Sequence, residues 1–203
     1  MNRTGHPTKA QLARIAKLEA AVKRETSRHV LLEFAQLLLE PAHRDDEAFA
    51  IYESLLARDA MDADAAVGAA YVHIHTFMEE ENLRLAVGLL HRVLDQDAAA
   101  ARGEMLLAEA LEDLGELSDI QRIQMLEASV ERAPGWSRNH LLLALAYRDA
   151  GDIERARIQM AAAVANRFPS GAGLTLVEAS FEECYTGRLG SASFLRDMEA
   201  TLR

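Results

Sequence analysis

The pattern of apolar and polar positions is clearest between Ser137 and Ser170, where it describes two helices folded back on each other. Leu141 to Tyr147 are seven consecutive apolar residues, so a helix there has no wholly wet face and needs neighbours on more than one side. Within it His140, Leu143, Ala144 and Tyr147 follow the i, i+3, i+4, i+7 rule. Ala156, Met160 and Ala163 recur at similar spacing in the segment that follows, so small side chains on one helix face large ones on the other. The punctuation agrees. Ser137, just after Pro134-Gly135, reads as the N-cap of the first helix; Gly151 supplies a left-handed C′ residue, Asp152 caps the second helix, and Pro169 stops it.

The same couplet recurs along the chain. Thr8-Lys9-Ala10-Gln11 is a capping-box pattern opening a narrow amphipathic helix, with Leu12, Ile15 and Val22 on its apolar stripe, that ends near Glu25. Leu31, Phe34, Ala35 and Leu38 then form a helical stripe closed by Glu40-Pro41, and Ala48, Tyr52 and Leu55 face back from a second helix. The next couple starts near Asp62 or Asp64, with Gly68 and Tyr71 in its first helix. Either that helix runs on through His73 and Phe77, or Met78 to Asn82 forms an extended loop. A third couple leads through Leu107, Ala108, Leu111 and Leu114 to Gly115, and Ser118-Asp119-Ile120-Gln121 is a further capping box. Gly115, Gly151 and Gly187 are evenly spaced, which aligns Ala108 with Ala144 and Ser180, and Leu117 with Ile153 and Leu189.

Ala144, Tyr147, Gly151, Ala156 and Ala163, followed by Pro169, are the spaced small, aromatic and turn residues of the tetratricopeptide repeat (TPR), which this stretch resembles. The resemblance extends over residues 28–203, tightest in 137–170 and loosest in the second and last couples. It implies an all-α, right-handed α-solenoid of about five antiparallel helix pairs, at about 28–60, 62–97, 98–134, 137–170 and 172–203, preceded by a basic amphipathic helix in residues 1–27. The last pair reads as a cap, because Glu183 stands where Tyr147 stands one repeat earlier.

Ligands of the repeat family commonly lie in the concave groove lined by the first helix of each pair. The resemblance therefore implies a groove formed by Arg138, Leu141, Leu145 and Arg148 in the fourth pair and by Arg102, Met105, Glu109, Glu112 and Asp113 in the third. Ala69, Val72, His73 and Thr76 continue it in the second pair, and His29, Leu32, Gln36 and Leu39 in the first. Apolar anchors flanked by both signs of charge suit a peptide or helical segment. The Lys and Asn clamp for a terminal carboxylate, known in one branch of the family, has no counterpart: Arg, Leu, Leu and Arg stand in those places.

Composition narrows the partner. The 203 residues carry a net charge of −10, half are apolar, and only 5% are aromatic. Residues 1–28 hold seven Lys/Arg against Glu19 and Glu25, a local +5, which leaves −15 on the remainder. An acidic body disfavours a phosphate backbone and favours a basic or amphipathic protein segment, so no nucleic-acid partner is expected. The basic first helix is left to cap the array, dock on the acidic body or join two copies through residues 1–25. No apolar run is long enough to span a bilayer, and MNRTGHPTKAQ lacks the apolar core of a secretory signal, so a cytoplasmic location without membrane contact is expected. A single Cys184 excludes an internal disulfide.

Chemistry is sparse. No phosphate loop, HExxH, CxxC or GxSxG motif occurs. His73 and His75 point in opposite directions if helical, so they do not share a metal, and no cofactor is expected. Cys184 reads as a packed thiol and Trp136 as a plug at a repeat junction. The leading expectation is a non-enzymatic adaptor, or more narrowly a cytoplasmic chaperone, holding a protein segment. The alternatives are a homo-oligomeric scaffold, and an enzyme or metal-binding protein with its site at His73 and Glu79 to Glu81.

Overall fold

A computed structural model describes residues 9–24, 26–39, 42–94 and 97–166, of which 97–101 are described by their backbone alone. The expected capping box at Thr8, the last helix pair and Cys184 lie outside the described residues. Nine α-helices are present among those described: α1 (Lys9–Val22), α2 (Arg28–Leu39), α3 (Asp45–Arg58), α4 (Ala63–Val72), α5 (Glu80–Val93), α6 (Asp97–Asp113), α7 (Asp119–Arg132), α8 (Ser137–Asp149) and α9 (Ile153–Ala165). Each packs on its sequence neighbours, and α4 also meets α6 and α2. The regular elements among the described residues are all helical, and four antiparallel pairs, α2/α3, α4/α5, α6/α7 and α8/α9, stack as an α-solenoid with α1 against α2.

The second helices explain the stacking. Three of the four bury a stripe at i, i+4, i+7: Ala48, Tyr52, Leu55 in α3; Ala86, Leu90, Val93 in α5; Ala156, Met160, Ala163 in α9. In α7 the same places are filled by Arg122, Leu126 and Ser129. The glycine spacing aligns α6 with α8, but it misaligns α7 with α9. The left-handed Gly115 and Gly151 end α6 and α8 alike (φ +68° and +80°), each with its own N–H and the next N–H turned back on the helix. The following N-caps are Ser118 and Asp152, because the α6–α7 turn is two residues longer than the α8–α9 turn. Leu117 therefore sits in a turn while Ile153 opens a helix. Arg122 occupies the slot of a small residue and reaches out of it to Glu112 (3.0 Å) and Asp149 (3.3 Å).

Close approach is sharpest at Gly68. A Cβ there would lie 2.3 Å from Cζ of Tyr52, so only glycine lets α4 settle against the buried tyrosine ring of α3. One start differs from expectation. Trp136, not Ser137, is the N-cap residue of α8, while the buried Ser137 hydroxyl donates to the Ala163 carbonyl (2.8 Å) and ties α8 to the end of α9. The helix after Val72 does run on: His73–Phe77 form a π-helical turn, closed by Met78 N–H to the His73 carbonyl (3.0 Å) with Met78 left-handed. No extended loop forms, and Glu80 and Glu81 lie in the first turn of α5, where carboxylates oppose the positive helix end.

Ionic clasps join successive first helices. Arg28 holds Asp62 through two hydrogen bonds of 2.7 Å and reaches Asp64 (2.7 Å). Asp62 meanwhile accepts the Ala65 N–H as N-cap of α4. Burial pushes the Asp62 carboxyl up, but Arg28 and the Ala65 N–H outweigh it and hold the carboxyl below its ordinary range. On the other side α1 is docked by Ile15 and Leu18 and by Arg14 to Glu33 (2.5 and 2.6 Å), with Arg44 bonded to Glu19 (2.6 Å).

Candidate functional site

The first helices α4, α6 and α8 share one wall, and its centre is a charged cluster drawn from all three. Arg138 of α8 places Nη2 at 2.8 and 2.9 Å from the two carboxylate oxygens of Glu109 on α6. His75, from the π turn after α4, brings Nε2 to 3.4 Å from both the Glu109 carboxylate and Arg138 Nη2, and its ring lies 4.3 Å from that of Tyr71. Burial raises the Glu109 carboxyl, but Arg138 and His75 more than reverse this and hold it at about 2.

Towards the α6–α7 turn the wall becomes acidic and accessible. Asp113 and Glu112 are exposed, and both carboxyls are pushed above their ordinary values. For Asp113 the cause is burial, then repulsion from Glu109. For Glu112 burial outweighs the attraction of Arg122, and Asp113, Asp149 and Glu109 add repulsion. Arg148 pairs with its neighbour Asp149 (2.6 Å), and the half-buried Leu145 stands one turn below. The chemistry here is electrostatic: two exposed carboxyls whose charged forms are disfavoured, one of them paired with Arg122.

The expected groove residues divide. Glu109, Glu112, Asp113, Leu145 and Arg148 are reachable on this wall, and Arg138 stands behind them as the buried counter-charge. Met105, Leu141, Leu32 and Leu39 are buried core residues, Val72 is wholly buried, and Gln36 is buried on α2. Arg102 is buried beside Trp136, its guanidinium 5.8 Å from the ring centre. His29 is exposed at the start of α2. Thr76 donates to Asp45 of α3 (2.8 Å).

Ala69 and His73 face elsewhere. One turn apart, on α4 and at the start of the π turn that continues it, they line a cleft of about 420 Å³ between the second helices α3 and α5, with Phe49, Leu56, Leu85 and Leu89. His73 therefore does not belong to the stripe in which periodicity placed it, because its face of α4 is turned to α3, where its ring meets Phe49 edge-on at 4.9 Å. His73 and His75 do diverge, one to each side. Glu79 is linked to His73 only through Asn82. No group of His, Cys, Asp and Glu able to hold a metal ion occurs among the described residues, and no helix there is long and apolar enough to cross a membrane.

Sequence reasoning missed two things. The His75 contact depends on the π turn, which no local motif announced. The α3–α5 cleft left a faint trace: Leu85 and Leu89 repeat one turn apart but off the core stripe, beside an unexplained mid-helix Gly88.

No protein-family model and no curated protein matches the chain in sequence. Solved structures do match it in shape. TTC0263, a thermophilic TPR protein in Thermus thermophilus, has a TM-score of 0.65 at 17% identity, covering 84% of this chain and 89% of that one. MamA matches with a TM-score of 0.55 at 17% identity over 77% of this chain and 88% of its own. YrrB, described as a TPR protein with an unusual peptide-binding site, gives 0.52 at 17% identity over 91% of this chain and 90% of its own. Helix pairs, turn glycines, small-residue stripes and these shapes agree: the chain has the tetratricopeptide-repeat fold.

Proposed function

We propose that the protein is a non-enzymatic adaptor that holds a basic or amphipathic protein segment against the wall formed by α6 and α8. The observation that carries this reading is the pair of exposed carboxyls Glu112 and Asp113 on α6, both disfavoured as anions, of which Glu112 alone is paired with Arg122 among the described residues, with Leu145 half-buried on α8. A lysine or arginine from a partner supplies the missing counter-charge, and an apolar neighbour in the same segment covers Leu145. The stack of helix pairs supports the reading because it brings α4, α6 and α8 together along one shared wall. The peptide-binding site ascribed to YrrB lies in a protein of the same fold. Within this reading the narrower role is that of a cytoplasmic chaperone shielding an amphipathic segment of its partner. An acidic wall on a chain of net −10 is poorly suited to nucleic acid.

The test uses the partner recovered from the native cell, purified, and titrated against wild type, Asp113→Lys and Leu145→Glu. Both substitutions are expected to weaken binding at least tenfold, about 1.4 kcal/mol, with circular dichroism unchanged. Unaltered affinity in both rejects this wall. Leu141→Glu is uninformative, since that side chain is in the core.

A further inference from the structure

The cleft between α3 and α5 lies between second helices, apart from the wall just described. Its floor is apolar, with Phe49, Leu56 and Leu89 half-buried and Leu85 exposed at its lip (52%). A Cβ added at Gly88 meets nothing within 4 Å, so the missing side chain is part of the open volume. At about 420 Å³ the space falls within the ~300–1,000 Å³ of ordinary ligand clefts.

The polar groups at its edge are fixed. Glu79 can only accept, so the Asn82 amide that donates to it (2.9 Å) must turn its oxygen to His73 Nδ1 (2.8 Å). Nδ1 of His73 therefore carries hydrogen, and in the neutral ring Nε2 is the acceptor. His73 is 7% exposed and lines the cleft, while Nε2 has no partner among the described residues and is not among the polar atoms sealed without one. It is open to an incoming donor. Glu53 on the α3 wall and Arg92 on the α5 wall have no ion-pair partner among the described residues. Arg84, by contrast, is held by Glu80 (2.8 Å) and Glu116 (3.0 Å).

We infer that this cleft is a second protein-binding site, which takes a tryptophan or tyrosine side chain of a partner whose neighbouring carboxylate pairs with Arg92. An aromatic ring fills the apolar floor, its N–H or O–H satisfies Nε2 of His73, and the acidic neighbour meets the Arg92 guanidinium. A purely aliphatic anchor leaves Nε2 covered and unsatisfied; a carboxylate is drawn to Arg92 on the α5 wall, whereas a basic neighbour would be drawn to Glu53 on the opposite, α3 wall. The partner is thus unlike the basic segment proposed for the α6–α8 wall, and either site can fail without the other.

The test is a methyl NMR titration of the full chain with indole, 1-methylindole and indole-3-acetate. Indole is expected to shift the Leu56, Leu85 and Leu89 methyls saturably and to bind about three- to tenfold more tightly than 1-methylindole, which lacks the N–H. His73→Phe should erase that ratio. Indole-3-acetate should exceed indole, and Arg92→Gln should erase that advantage. Gly88→Leu should abolish all three titrations while leaving the circular dichroism intact, so a failure of His73→Phe to fold does not remove the test. Absence of saturation, equal binding of indole and its methylated form, or full binding by Gly88→Leu overturns the proposal. Shifts of the same methyls on diluting the protein alone would assign the cleft to a second copy and overturn it equally.

Discussion

Arg138 of α8 holds both carboxylate oxygens of Glu109 of α6 through a single nitrogen, at 2.8 and 2.9 Å, with the guanidinium almost wholly buried. The pair joins two helices that are not neighbours in sequence, so its loss is felt between repeats.

The depressed Glu109 carboxyl gives this pair a pH signature. A folded value of about 2, below the ordinary ~4.3 of the unfolded chain, means that the stabilisation is fully present above the unfolded value and is lost as pH falls towards 2. Wild type is expected to lose stability steeply between about pH 4.5 and 2. Glu109→Gln should be weaker by about 3 kcal/mol at pH 7, because Arg138 stays buried without its counter-charge, and should show a shallower acid limb. Urea unfolding at several pH values measures both; parallel acid limbs would show that the carboxylate is not the titrating group.

Gly68 and Tyr52 make a second paired test. Gly68→Ala should cost about 1–3 kcal/mol, the usual effect of overpacking. In a background of Tyr52→Leu, which withdraws the ring, the alanine should cost much less. Additive losses in thermal melts would mean that the ring is not what excludes a Cβ.

Two glycines, one inside a helix and one just past a helix end, predict opposite signs. Gly88 is exposed within α5 and open around its missing Cβ, so Gly88→Ala should stabilise by about 0.5–1 kcal/mol through helix propensity. Gly151 has φ +80°, so Gly151→Ala should destabilise by about 1 kcal/mol despite equally open space. Denaturant midpoints decide; equal signs would contradict the backbone argument.

The repeat was readable because its determinants are local. Gly151 and Asp152 close and open helices by their own backbone and side-chain chemistry, and Ala156, Met160 and Ala163 report burial through spacing alone. Departures arose where a neighbour decides. Ser137 looks like a cap until its hydroxyl is seen to serve the end of α9. The π turn at His73–Phe77 is set by packing on Phe49 and by Asn82, neither of which periodicity weighs. Burial of Val72, Arg102 and Leu141 was equally hidden, since a single helix face does not say how far the adjoining helix overlaps it. The cluster of His75, Glu109 and Arg138 spans three repeats, and no spacing rule connects residues so far apart.

Asp62 serves two masters, fastening the first turn of α4 and receiving Arg28 from the first turn of α2. Unwinding either turn strips a ligand from the other. Adjacent repeats at this end are thereby cooperative, and they should melt as one unit rather than peel away singly.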